Sequence, residues 1–297
     1  MSLLNQLQTR FDQVAGLRFI QQDALVLAII DTPLAEARIA VQGAQLIEWR
    51  PKSEQKAVVW CAEAPTYETG KSVRGGIPIC WPWFGNHPTL NMAHGFVRTR
   101  DWQLIGAQRS TEGILSLHWR LTDSPDTRAI WPHAFELDVL MHIGQELRVQ
   151  LVTHNTGNAP LGITQGLHTY LHIGDTRSVI IRGLEGGFYL DKLNGFARTP
   201  QDDVITISGA LDRIYFGTTH TVEVEDTEFN RVIVVAKEGS HSTVVWNPDE
   251  QVPAGMRPEE SRVMVCVEAV NAADDTISVA PGERKILGTT LSVRHMS

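Results

Sequence analysis

Residues 114–121 run Ile-Leu-Ser-Leu-His-Trp-Arg-Leu, and their period is two. Leu115, Leu117, Trp119 and Leu121 fall on one face, and Ser116, His118 and Arg120 on the other, the alternation of a half-buried β-strand. Downstream, residues 135–143 repeat it with Phe135, Leu137, Val139, Met141 and Ile143, and residues 146–153 with Leu147, Val149 and Leu151. Further β-rich runs cover 25–30, 38–49, 231–236, 243–246, 262–267 and 285–293. Turn residues separate them, among them Thr-Gly-Asn at 156–158, Glu-Gly-Gly at 185–187 and Pro-Gly-Glu at 281–283. Strands do not alternate with helices, so the pattern predicts a mostly β protein of large, sandwiched antiparallel sheets. Only the first 15 residues differ. Leu3, Leu4, Leu7, Phe11 and Val14 share a stripe at helical spacing, which predicts a short N-terminal helix packed on the body. No linker, charge block or repeat interrupts the chain, so residues 1–297 are expected to form a single domain.

Thirty-four acidic against 26 basic side chains give a net charge of −8. That balance argues against nucleic acid or an anionic membrane as partner. An anionic ligand would need a local Arg cluster. Cys61, Cys80 and Cys266 are odd in number, widely spaced and form no CxxC pair, so neither a disulfide framework nor a thiolate metal site is indicated. The N-terminus lacks a basic start and a long apolar stretch, and no apolar run reaches the roughly 20 residues of a membrane span. A cytoplasmic location is the expectation.

Four segments interrupt or close the β pattern with chemistry-bearing residues. In Ser-Val-Arg-Gly-Gly-Ile-Pro-Ile-Cys-Trp-Pro-Trp-Phe-Gly (72–85), paired glycines free the backbone beside Arg74. Its guanidinium suits a phosphate or carboxylate, although an Arg pairing with a surface acid at a tight turn would look the same. Residues 93–102 gather His94, Arg98 and Arg100; if extended, all three share a face, as they also would on a solvated basic strand. In Gln-Gly-Leu-His-Thr-Tyr-Leu-His (165–172), a strand aligns His168, Tyr170 and His172. A helix would instead set His168 and His172 at a zinc spacing, without the glutamate or third ligand such a site needs. Finally, Arg-Val-Met-Val-Cys-Val-Glu-Ala-Val (262–270) places Glu268 on the face of Met264 and Cys266. Apolar neighbours there would raise its pKa toward that of a general base, unless it is an edge residue facing solvent. No GxSxG, Walker A or dinucleotide-binding fingerprint occurs.

Taken in order, Ser-Val-Arg-Gly-Gly-Ile-Pro with Trp-Phe-Gly, His-Gly-Phe-Val-Arg, Gly-Leu-His-Thr-Tyr, Val-Trp-Asn-Pro (245–248) and Val-Cys-Val-Glu-Ala resemble the glucose-6-phosphate 1-epimerase family. These are hexose-6-phosphate mutarotases, related to galactose mutarotase and aldose 1-epimerases. The resemblance implies a galactose-mutarotase-like β-supersandwich and a cofactor-free, metal-free isomerase. It implies His168 as general acid, Glu268 as general base, and Arg74, Arg98 and Asp212 at substrate-binding positions. His94 is a further candidate contact, and Arg100 a candidate helper at the phosphate. Trp81, Trp83 and Phe84 are candidates to stack on the sugar or simply to pack. One departure is visible: Ala93 stands where the family often has a Gln that contacts substrate, which puts one polar contact in doubt.

The implied reaction is exchange of α and β anomers of a hexose 6-phosphate by acid–base ring opening and closure. Glu268 is expected ionised and His168 protonated, each charge favouring the other, with a bell-shaped pH profile. The expected partner is a small sugar phosphate, and the expected state a monomer or weak oligomer. Two alternatives stay open: a 1-epimerase of neutral hexoses, and a non-catalytic carbohydrate-binding protein.

Overall fold

The computed structural model describes residues 1–296. Its largest sheet has nine strands, in the order Ile205–Thr206, Val179–Arg182, Val222–Asp226, Arg231–Glu238, Arg284–His295, Leu147–Asn155, Phe135–Ile143, Leu115–Thr122 and Gln103–Arg109. The second sheet has eight strands. Ala197–Gln201, Gly187–Asp191, Leu211–Phe216, Ser242–Asn247, Met264–Asn271, Gln165–Leu167 and Ile79–Cys80 run in that order, and Tyr170–His172 also pairs with Met264–Asn271. Leu17–Gln22, Leu25–Asp31, Ala35–Ala40 and Gln45–Pro51 form a four-stranded meander. The pairings in these sheets are antiparallel, as the period-two runs predict.

The alternation predicts the core correctly. Leu115, Leu117, Trp119, Phe135, Leu137, Val139, Met141, Leu147, Val149 and Leu151 are buried in one cluster. From the eight-stranded sheet, Val265, Val267 and Ala269 join it. Each such aliphatic side chain contributes roughly 1.5–3 kcal/mol over leaving it exposed. The even-numbered residues of Met264–Asn271 point to the opposite face, yet they too are buried. A strand covered on both faces has no reason to alternate, which explains the almost unbroken apolar run around Glu268.

The helix spans Leu3–Phe11, shorter than the predicted 1–15. The Ser2 hydroxyl caps it by accepting from the Asn5 N–H, and Leu7 and Phe11 bury its apolar stripe. Two predicted strands are redrawn. Residues 38–49 hold parts of two strands, because Gly43 and Ala44 adopt positive φ and reverse the chain. The strand expected from residue 262 begins at Met264, since Pro258–Val263 is a 3-10 turn. A short helix, Pro125–Ile130, escapes the periodicity; its signal is the capping box between Ser124 and Thr127 with Pro125 in the first turn.

Candidate active site

Strand register alone brings distant residues together. Leu167 pairs with Ala269 and Tyr170 with Cys266, so His168 lies opposite Glu268. On the next strand Glu268 pairs with Val244, and Cys266 with Trp246. Trp246 in turn pairs with Asp212. Because side chains alternate, His168, Tyr170, Cys266, Glu268, Val244, Trp246 and Asp212 project from one face. The result is a floor on which a ring nitrogen of His168, Nδ1, stands 3.5 Å from Oε1 of Glu268.

Three loops wall this floor. Arg74 sits in a segment clamped by buried Gln45, whose amide donates to the Val73 and Gly75 carbonyls at 2.9 and 2.7 Å. Gly76 has φ +75°, and a Cβ there would stand 2.1 Å from the Leu46 carbonyl oxygen, so only glycine lets the loop lie this close to the sheet. Arg74 donates to the Tyr170 hydroxyl and to the Ala254 carbonyl, which leaves part of its five-donor fork facing the cavity. Tyr170 stacks on His168, with ring centres 4.8 Å apart, and Trp60 stacks on Tyr170.

The second wall departs from the extended strand that the sequence suggests. His94 has φ +61°, Gly95 follows at +69°, and Val97–Thr99 is a 3-10 turn. A Cβ on Gly95 would overlap the Trp81 carbonyl oxygen, at 1.7 Å. This kinked path turns His94 and Arg98 into the cavity, and Arg100 is not part of the lining. The Ala93 carbonyl accepts from Arg98 Nη2 at 2.8 Å, so position 93 serves through its backbone. On the third side, the turn Lys192–Asn194 brings Lys192 to 2.7 Å from Asp212 Oδ2.

The cavity measures about 550 Å³, and His94, His168, Glu268, Asp212, Arg74 and Arg98 all line it. Phe84, Tyr170, Trp246, Lys192 and Lys71 also contribute. Of the aromatic candidates, Phe84 lines the cavity, whereas Trp81 is fully buried core and Trp83 packs against it. His172 turns toward Phe229, on the same strand-paired segment as His168, so no helical zinc spacing arises. Among the described residues neither Arg74 nor Arg98 has a carboxylate within ion-pair distance, although the chain carries an acidic excess.

Electrostatics follow from burial. Burial, reinforced by Arg98, Lys192 and Arg74, lowers His94 to about 3 and keeps it neutral. Its Nδ1 accepts from the Gly85 N–H, which leaves the ring proton on Nε2. His168 is held well below the usual histidine range, by burial first and then by His94, Arg98 and Arg74. Glu268, 1% exposed, is pushed well up by burial; Lys192 opposes this and Asp212 adds to it. Both directions run against the expected ion pair, because burial disfavours each charged form. His168 Nδ1, Asp212 Oδ1 and Glu268 Oε2 are buried without a hydrogen-bond partner. Such atoms cost about 1–3 kcal/mol each, a cost that sites of function retain.

Sequence reasoning missed two lining residues, Lys71 and Lys192. Lys192 lies in a turn with no motif, and its only signal is a position opposite Asp212 that register reveals. Cys266, behind the lining, stands beside both His168 and Glu268.

Comparison with known proteins places the chain in a family. The family described as Aldose 1-epimerase matches residues 27–292. A protein of Escherichia coli (strain K12), provisionally named a glucose-6-phosphate 1-epimerase, is 33% identical over 257 residues, 85% of each chain. A Salmonella typhimurium structure, provisionally described as a mutarotase, superposes with a TM-score of 0.89 at 29% identity, covering 98% of this chain and 99% of that one. A galactose mutarotase-related enzyme from Lactobacillus acidophilus shares the fold, with TM-score 0.70 and 16% identity over 91% of this chain and 98% of that one. The resemblance first read from five short motifs thus extends over nearly the whole length, and the chain belongs to the aldose 1-epimerase family.

Proposed function

We propose that the protein interconverts the α and β anomers of a hexose 6-phosphate, with glucose 6-phosphate as the first substrate to test. The observation that carries this is the pair His168–Glu268, 3.5 Å apart on the floor of a cavity rimmed by Arg74 and Arg98. Ring opening needs one group to take the proton of the C1 hydroxyl and another to protonate the ring oxygen. The pair holds one proton between them. A sugar hydroxyl donating to Glu268 favours the carboxylate, so the proton moves to His168 as substrate binds. Glu268 then takes the C1 hydroxyl proton while His168 protonates the ring oxygen, giving the open aldehyde. Rotation about C1–C2 and the reverse transfers close the other anomer. No electron or atom is gained or lost.

Asp212 Oδ1, buried and unpartnered, and the Nε2–H of neutral His94 suit sugar hydroxyls. The free donors of Arg74 and Arg98 suit the phosphate, in charge-assisted bonds. The test is NMR exchange spectroscopy on α-glucose 6-phosphate, with free glucose in parallel. Fast exchange of the phosphate ester and weak action on glucose are expected. Equal acceleration of both sugars would remove the phosphate from the proposal, and acceleration of neither would remove the enzyme.

A further inference from the structure

The side chains of His168, Cys266 and Glu268 offer a nitrogen, a sulfur and an oxygen that all lie within 4.8 Å of one another. Register produces the cluster: residue 168 lies opposite 268, and 266 shares its face two positions away. Cys266 is fully buried and is not part of the sugar cavity's lining, so the sulfur stands behind the proton-transfer pair rather than in the substrate's place. Independently of the clustering, Nδ1 of His168 and Oε2 of Glu268, the latter on a side chain 1% exposed, have no hydrogen-bond partner.

We infer that this triad is a binding site for a divalent ion of the zinc class, and that such an ion inhibits the protein. Mixed nitrogen, sulfur and oxygen donors suit zinc rather than magnesium or calcium. Three protein ligands leave a fourth tetrahedral position, which opens toward the cavity. Donor atoms around tetrahedral zinc lie about 3.5 Å apart. Closing the triad therefore takes about 1 Å of side-chain movement. Arg74, Arg98 and Lys192 oppose a free cation, but a thiolate and a carboxylate cancel the two charges of the ion. The loaded site adds no net charge to a cationic cavity. The Cys266 thiol proton and the one proton held by the His168–Glu268 pair both leave as the ion enters, and water carries them away. Bound there, the ion occupies the atoms that would give and take the sugar's protons.

Inhibition rests on the proposed role of His168 and Glu268; occupancy does not. The two are measured separately. Cobalt(II) added to the purified full chain should give a near-ultraviolet thiolate-to-cobalt absorption at one ion per chain, whether or not the protein proves to be an epimerase. Zinc chloride should suppress anomer exchange, and EDTA should restore it. Cys266→Ser should abolish the absorption and raise the zinc concentration for half-inhibition at least about tenfold, while zinc-free exchange stays within about twofold. Should that variant misfold, Cys266→Ala serves the same comparison, and Cys80→Ser is the control that keeps the absorption. No cobalt absorption in the wild type, or equal zinc sensitivity with and without the Cys266 thiol, would overturn the inference.

Discussion

Two of the histidine–carboxylate pairs built from neighbouring strands, His118–Asp138 and His168–Glu268, behave in opposite ways. On the nine-stranded sheet His118 Nε2 lies 2.8 Å from Asp138 Oδ1, and Arg120 donates to both oxygens of the same carboxylate at 2.7 and 2.9 Å. Burial pulls the Asp138 pKa up, but the hydrogen bonds from Arg120 and His118 outweigh it, and the net shift is downward. In the cavity, Glu268 has no guanidinium bonded to it, its distance to His168 is 3.5 Å, and its pKa moves up. A satisfied carboxylate is a structural charge. One that is buried and unsatisfied can exchange a proton with a ligand. The difference lies in the depth of burial and in the third partner.

Exchanging amides for the acids separates the two pairs most sharply. Glu268→Gln is expected to lower anomer exchange by about 10²–10⁴-fold, with His168→Asn close behind. Unfolding by denaturant should show Glu268→Gln as stable as the parent, or more so, because a buried acid with an unpartnered oxygen has been replaced by an amide of the same shape that cannot ionise. An active Glu268→Gln protein would erase the contrast.

Arg74→Ala comes next in size. Two or three lost charge-assisted bonds should raise KM for a hexose 6-phosphate about 10–100-fold. The phosphate is unchanged by the reaction, so kcat should hold. A fall in kcat with steady KM would place Arg74 at the reacting atoms instead, through its contact with Tyr170.

The smallest effect belongs to the satisfied pair. Asp138→Asn should cost about 1 kcal/mol of stability near neutral pH and leave exchange rates alone. The sign of its pH dependence follows from the lowered pKa. Stability from Asp138 is fully present above its unfolded value of 3.8 and is lost as pH falls through the lower folded value. Denaturation of the parent and the variant at pH 7 should therefore differ, and the gap should close in strong acid. A gap that persists or widens there would mean that charge is not what Asp138 contributes.

Much of the fold was open to inspection in the chain itself. Period-two runs such as 114–121 and 135–143 specify strands and name their buried faces, because one face must leave water. The five motifs place Arg74, His94, Arg98, His168 and Glu268 on segments of the right kind. Tertiary structure decided what those residues do. Whether Glu268 is an exposed edge residue or a buried acid depends on its strand being central, and no local pattern states that. Opposition of residues 168 and 268 is a matter of register between strands about a hundred positions apart, fixed by packing on both faces of the sheet. The kink at His94 and Gly95, the turn carrying Lys192 and the nearness of the Cys266 sulfur likewise come from contacts far apart in sequence. Local order follows from side-chain alternation and turn chemistry, which the chain writes out residue by residue. Proton affinity follows from burial and from the third neighbour, which exist only once the sheets have closed.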